Sequence, residues 1–147
     1  MVGKMAKSPT RAFVLPIKGR EADIEKLRQL VEQAGCEPVC DQALPADYEK
    51  CLENADVLVV LICPQTMDDS AVNQLIVHAS RTGKRVVGVW ALNLKDSVLP
   101  TAINKHGDAV IVFDVAAIRQ SVCGDQSSWS TPDGKPRPTP KTPRHKG

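Results

Sequence analysis

Residues 57–63 read VLVVLIC, seven apolar residues in a row with no polar alternation. A strand with one wet face alternates apolar and polar side chains, so an unbroken run of this length belongs to a strand covered on both faces. Pro64 stops it. Such a strand sits at the centre of a parallel sheet between two layers of helices, which excludes all-helical folds and one-layer antiparallel sheets. At 147 residues the chain has material for one such domain and too little for two. Only 3% of its residues are aromatic against 42% apolar, so Val, Leu, Ile and Ala must fill the core.

The flanking segments follow the same plan. Residues 12–15 (AFVL) predict a first strand. Over 21–34, Ile24, Leu27, Leu30, Val31 and Ala34 recur at helical spacing, with Glu21 and Asp23 in the first turn and Gly35 as the stop. Residues 37–41 predict a weaker second strand, and 47–54 a short helix with Tyr48, Cys51 and Leu52 inward. After the central strand, Ser70 is placed to N-cap a helix through 82 that sets Val72, Leu75, Ile76 and Ala79 on one face, with Gly83 closing it. Residues 85–91 predict the fourth strand, 99–106 a helix, 109–113 the fifth strand and 115–122 the last helix. Strand and helix alternate throughout, which predicts an α/β fold: a three-layer, flavodoxin-like sandwich on a parallel five-stranded sheet of order 2-1-3-4-5.

Charge divides the chain into three parts. Residues 1–10 are a basic N-terminal extension, 11–123 the α/β domain, and 124–147 a basic tail with prolines at 132, 136, 138, 140 and 143. The tail has no apolar periodicity, so it is expected to be extended or disordered, with Trp129 docking its start on the body. Residues 12–123 hold 11 basic and 15 acidic side chains. An acidic body does not present the basic face that direct nucleic-acid binding requires. No run reaches the ~18 to 20 apolar residues of a membrane span, and the N-terminus lacks the apolar core of a secretory signal. Five cysteines (36, 40, 51, 63 and 123) include no C-x-x-C pair and no histidine partner nearby, so no metal is expected. They read as reduced thiols, which places the chain in the cytoplasm.

In open sheets of this order, ligands bind beyond the carboxyl ends of the strands, at the loops after strands one and three. A phospho-receiver needs an aspartate ending strand three; Cys63 and Pro64 stand there instead. Flavodoxin-type phosphate loops, G-x-G-x-x-G and Walker patterns are missing from the sequence. Lys18 and Arg20 flank Gly19 at the mouth of the first helix, where an anion is favoured. With Gln65, Asp69, Ser70, Asn73 and Gln74 they form the candidate ligand-binding set. Cys63 with His78 offers a weaker nucleophile–base pair, with nothing acidic to orient the histidine.

Residues 48–61, then Asp69 and Ser70, then Ala79 and the Gly83-to-Val89 stretch, resemble a bacterial TIR-like domain, above all the short Thoeris-type TIR proteins of antiphage defence. Residues 12–14, 23–35, 99–103 and 108–113 fit the same likeness, which spans about residues 11 to 123. The framework is shared with nucleoside deoxyribosyltransferase-like domains. The resemblance implies a TIR-like sandwich, self-association or association with another TIR-like or defence protein, and a nucleotide ligand such as NAD. It also implies a catalytic glutamate four residues before the small residue matched by Ala79, and that position is Leu75. No Asp or Glu occurs from 70 through 95. No catalytic residue is therefore assigned; Asp69 and Asp68 are the fallback acids.

The expectation is a catalytically silent TIR-like module that binds a nucleotide or assembles with protein in bacterial defence or signalling, with no membrane contact. The alternatives are an NAD- or nucleoside-cleaving N-glycosidase with a relocated acid, and a structural subunit of a larger complex.

Overall fold

The computed structural model describes residues 9–40, 44–67, 69–92, 98–124 and 126–137. Five strands form one all-parallel sheet in the order β2-β1-β3-β4-β5: β1 Arg11–Val14, β2 Glu37–Pro38, β3 Val57–Ile62, β4 Arg85–Trp90 and β5 Ala109–Ile111. The helices are α1 Glu21–Gln33, α2 Tyr48–Glu53, α3 Pro64–Met67, α4 Ser70–Arg81, α5 Thr101–His106 and α6 Val115–Ile118, the last running into a π-helical turn at Arg119–Cys123. Helices α1 and α6 pack together, as do α2, α4 and α5, which gives the three expected layers.

Every residue of β3 is buried, as its unbroken apolar run requires. Phe13 and Leu15 from β1 and its continuation, Ile76 from α4, Trp90 from β4 and Ile103 from α5 close over it with almost no exposed surface. Each such side chain contributes about 1.5 to 3 kcal/mol relative to leaving it in water. No helix among the described residues is long and apolar enough to cross a membrane.

The structure departs from the sequence expectations at element ends, and each departure has a local cause. Strand β2 stops at Pro38, which has no N–H for the ladder; Glu37 and Val39 donate to Thr10 and Ala12, and Cys40 then turns away at φ +56°. Asp69, not Ser70, caps α4: its Oδ1 accepts from Val72 N at 3.1 Å. Pro100 takes extended angles and α5 starts after it. The short helix α3, which periodicity cannot reveal in four residues, follows β3 directly. Asp68 and residues 1–8 lie outside the described residues.

The cysteines require the largest correction. Four of the five are not free thiols: Cys36 pairs with Cys123 and Cys40 with Cys51, at Cα separations of 5.4 and 5.9 Å. The sheet brings the turn after α1 against the π-helical turn, and the Cys40 bend against α2. Sequence spacing carries neither contact. Cys63 stays reduced and fully buried at the end of β3.

Candidate functional site

The mouth of the sheet is built from two loops held against each other. Beyond β1 the chain stays buried through Leu15 and Ile17, then turns with Arg20 N donating to Ile17 O at 3.0 Å. Gly19 occupies the left-handed region at φ +90°, a conformation that only glycine adopts without strain. Its N–H donates to Glu21 Oε2 at 3.0 Å. Arg20 reaches in two directions: Nε donates to Gln65 Oε1 and one terminal nitrogen pairs with Asp23 Oδ2, both at 3.1 Å.

Gln65 is available to Arg20 because Thr66 fixes the other loop. Fully buried Thr66 accepts from Cys63 N at 3.0 Å and directs its hydroxyl at the carbonyls of Cys63 (2.8 Å) and Leu61 (3.1 Å). One side chain thereby satisfies the Cys63 N–H and offers its single proton to either of two carbonyls where the ladder ends, and α3 is stapled onto β3. The sequence reading missed Thr66. A threonine two residues after a strand-ending proline was the available signal, since its hydroxyl can reach back to the freed backbone.

The predicted ligand set is only partly brought together. Gly19, Arg20 and Gln65 meet, with exposed Lys18 beside them; a Cβ added at Gly19 would lie 3.4 Å from Gln65 Nε2. The anion seat expected at the loop is taken by the protein's own carboxylate. Glu21 sits below the ordinary glutamate range chiefly because Gly19 N–H donates to it, helped by its own backbone N–H and by Lys18's charge.

Asp69 and Ser70 are exposed at the start of α4, with the Asp69 carboxylate engaged as the cap. Tyr48, packed tilted against Phe13 with ring centroids 5.9 Å apart, has its hydroxyl pKa raised by burial and, second, by Asp69's charge. Asn73 and Gln74 line a different feature, a groove of about 460 Å³ on the outer side of α4 with Glu49, Val77, His78 and Arg81. Asn73 Oδ1 is buried there without a hydrogen-bond partner.

Position 75 decides the chemistry available on α4. Leu75 is 5% exposed and belongs to the inward stripe with Val72, Ile76 and Ala79. Cys63 and His78 do not form a nucleophile–base pair: the thiol is sealed against Leu61 O and Thr66 Oγ1, each 3.8 Å from Sγ, while His78 lines the outer groove. Among the described residues no three of His, Cys, Asp and Glu gather to hold a metal ion.

No protein-family model and no curated protein matches the chain. Among solved structures, the fold is similar to the CMP N-glycosidase BcmB of Clostridium botulinum, with TM-score 0.50 and 20% identity over 76% of this chain and 96% of that one. The TIR domain of the Toll-related receptor TRR-2 from Hydra magnipapillata aligns at TM-score 0.47 and 16% identity, over 66% of this chain and 79% of that one. At such identity the first likeness speaks for the fold alone: a parallel α/β sandwich.

Proposed function

We propose that this chain is a TIR-like module that works by binding and does not cleave N-glycosidic bonds. One observation carries the reading: Leu75, which the resemblance aligns with the catalytic glutamate, is packed into the core. Breaking an N-glycosidic bond builds positive charge on the sugar, and a carboxylate must stabilise or capture it. An inward leucine does neither, and α4 contains no Asp or Glu.

The ligand class that suits the mouth is a nucleotide, with Lys18 and Arg20 toward its phosphates and Gln65 beside them. A phosphate reaching Gly19 N–H has to displace Glu21, so the seat is competed for from within. Assembly with a second copy or another TIR-like partner, a role in defence or signalling and a cytoplasmic setting belong to the same reading. Two disulfides make the last of these directly testable, because a reducing cytosol opens such bonds.

The experiment denatures freshly purified protein and analyses the supernatant by mass spectrometry, alongside turnover assays with CMP and NAD. A retained nucleotide without turnover is expected. An empty protein indifferent to both nucleotides moves the reading to a structural subunit. The enzyme alternative rests on Asp69, whose charge is felt at the half-buried Tyr48. Wild-type turnover lost in Asp69→Ala overturns the silent reading in its favour.

A further inference from the structure

Both edges of the sheet are closed, and by different means. On one side β2 is two residues long and ends in Pro38. On the other, β5 consists of Ala109, Val110 and Ile111, all buried and uncharged, with no proline among them. An edge of that kind accepts another strand readily. Here it is occupied from within the chain. Val110 N donates to Ser128 O and Ser130 N to Val110 O, both at 2.8 Å, so that Trp129 pairs with Val110 in parallel.

The added segment is anchored and then folds back on itself. Trp129 is 7% exposed, and the indole N–H of Trp90 donates to Ser130 O at 2.8 Å. Arg85 ties the preceding chain down through Gln126 O at 3.1 Å. A turn at 131–134 brings Pro136 opposite Ser130 in antiparallel pairing, with Thr131 N bonding Lys135 O and Arg137 N bonding Trp129 O. Those two bonds are made by the neighbours of residue 136, so its own N and O face outward. A proline there offers no donor to a further strand.

We propose that residues 126–137 form an intramolecular edge guard: the inner arm fills the β5 edge, the outer arm presents Pro136 to solvent, and an edge opened in either arm pairs with the same edge of a second copy of this chain. At β5 two uncharged apolar edges meet about a two-fold axis without like-charge repulsion, whereas at the outer arm Lys135 and Arg137 flank residue 136 and oppose the pairing until salt screens them; in both cases antiparallel pairing satisfies both sets of backbone groups. The inference is independent of the nucleotide reading. It also constrains self-association, since the full chain must use surfaces other than its sheet edges.

The test uses the full chain. Hydrogen exchange on wild type should find the Val110 and Ser130 amides protected like those of β4; rapid exchange at both overturns the guard. Ser130→Pro removes the donor to Val110 O, and Val110 exchange should accelerate by about tenfold or more. The sedimentation mass should rise above that of wild type as concentration increases, and a synthetic 126–137 peptide in excess should reverse the rise. Pro136→Val leaves the inner arm docked but restores an outward N–H, and at high salt, where the charges of Lys135 and Arg137 are screened, it should raise the mass with no acceleration at Val110. This second variant decides the matter if Ser130→Pro does not fold. Folded variants that open an edge yet keep the wild-type mass overturn the proposal.

Discussion

Cys36 and Cys123, separated by 87 residues in sequence, are joined by a disulfide that ties the turn after α1 to the π-helical turn at the end of the domain. Such a bond restricts the unfolded chain more than the native one, and the restriction grows with the loop it closes. For a loop of this size the stabilisation is roughly 4.5 kcal/mol, and for the 11-residue separation of Cys40 and Cys51 roughly 3 kcal/mol. Denaturant unfolding of Cys36→Ser/Cys123→Ser should therefore show the larger loss. A midpoint that dithiothreitol leaves unmoved would contradict both.

Thiol titration reads the same assignment chemically. Native protein should expose no reactive thiol, and denatured, unreduced protein should expose one, the Cys63 side chain buried at the end of β3. Protein taken from its native cells with thiols trapped at lysis gives the compartment: a count of five free thiols after denaturation marks a reducing one.

Leu75→Glu should not create a glycosidase. The new carboxylate would enter a site that is 5% exposed, so its desolvation raises its pKa and weakens the fold, by about 3 kcal/mol or more at neutral pH. The sign follows from linkage. A folded pKa raised above the unfolded value of about 4.3 costs nothing while both states are protonated, and the loss grows as pH rises through that value toward the folded pKa. The variant should melt closer to wild type at pH 4 than at pH 7, with no product from NAD or a deoxynucleoside at either.

Glu21 gives the opposite pH behaviour. Its folded pKa lies below the ordinary 4.5, so whatever its contact with Gly19 contributes is present above that value and is lost as pH falls through the lowered one. The Gly19 amide resonance should follow that titration, with a midpoint below 4.5. Glu21→Gln should tighten binding of a phosphate-bearing probe such as NAD by weakening the internal competitor. Lys18→Ala/Arg20→Ala should weaken it by about tenfold or more, the scale of one charge-assisted contact. Unchanged affinity in both variants places the ligand elsewhere.

Thr66→Val keeps the side-chain shape and removes the hydroxyl that accepts from Cys63 N. A buried N–H left without a partner costs about 1 to 3 kcal/mol. Thermal unfolding should register that loss, and the Arg20–Gln65 contact should loosen with it, seen as faster exchange at the Arg20 amide.

The sheet and its order were legible because the evidence was local. An unbroken apolar run at β3, helical spacing in α1 and α4, and Gly and Pro at their ends each act within a turn or a strand. Leu75's place on the apolar face of α4 followed from the same periodicity, but whether it turned to the core or to the pocket was decided only by the structure; the meeting of the β1 and β3 loops at one end of the sheet followed from the strand order. The sequence placed Lys18, Gly19, Arg20 and Gln65 in one ligand set with Asp69, Ser70, Asn73 and Gln74, but it did not reveal that Asn73 and Gln74 line a separate groove or that Glu21 takes the Gly19 N–H. Two charges within three residues can satisfy each other or a ligand, and spacing alone does not choose.

The sequence by itself determined the class of fold, the order of its elements and the missing carboxylate on α4, all of which depend on residue type and short-range period. Tertiary structure alone decided which cysteines meet, what Trp129 covers and why Pro136 faces outward. Those contacts join residues up to 87 positions apart. They exist only once the sheet has assembled, because closing such loops is opposed by chain entropy until β3 and its neighbours hold the ends together.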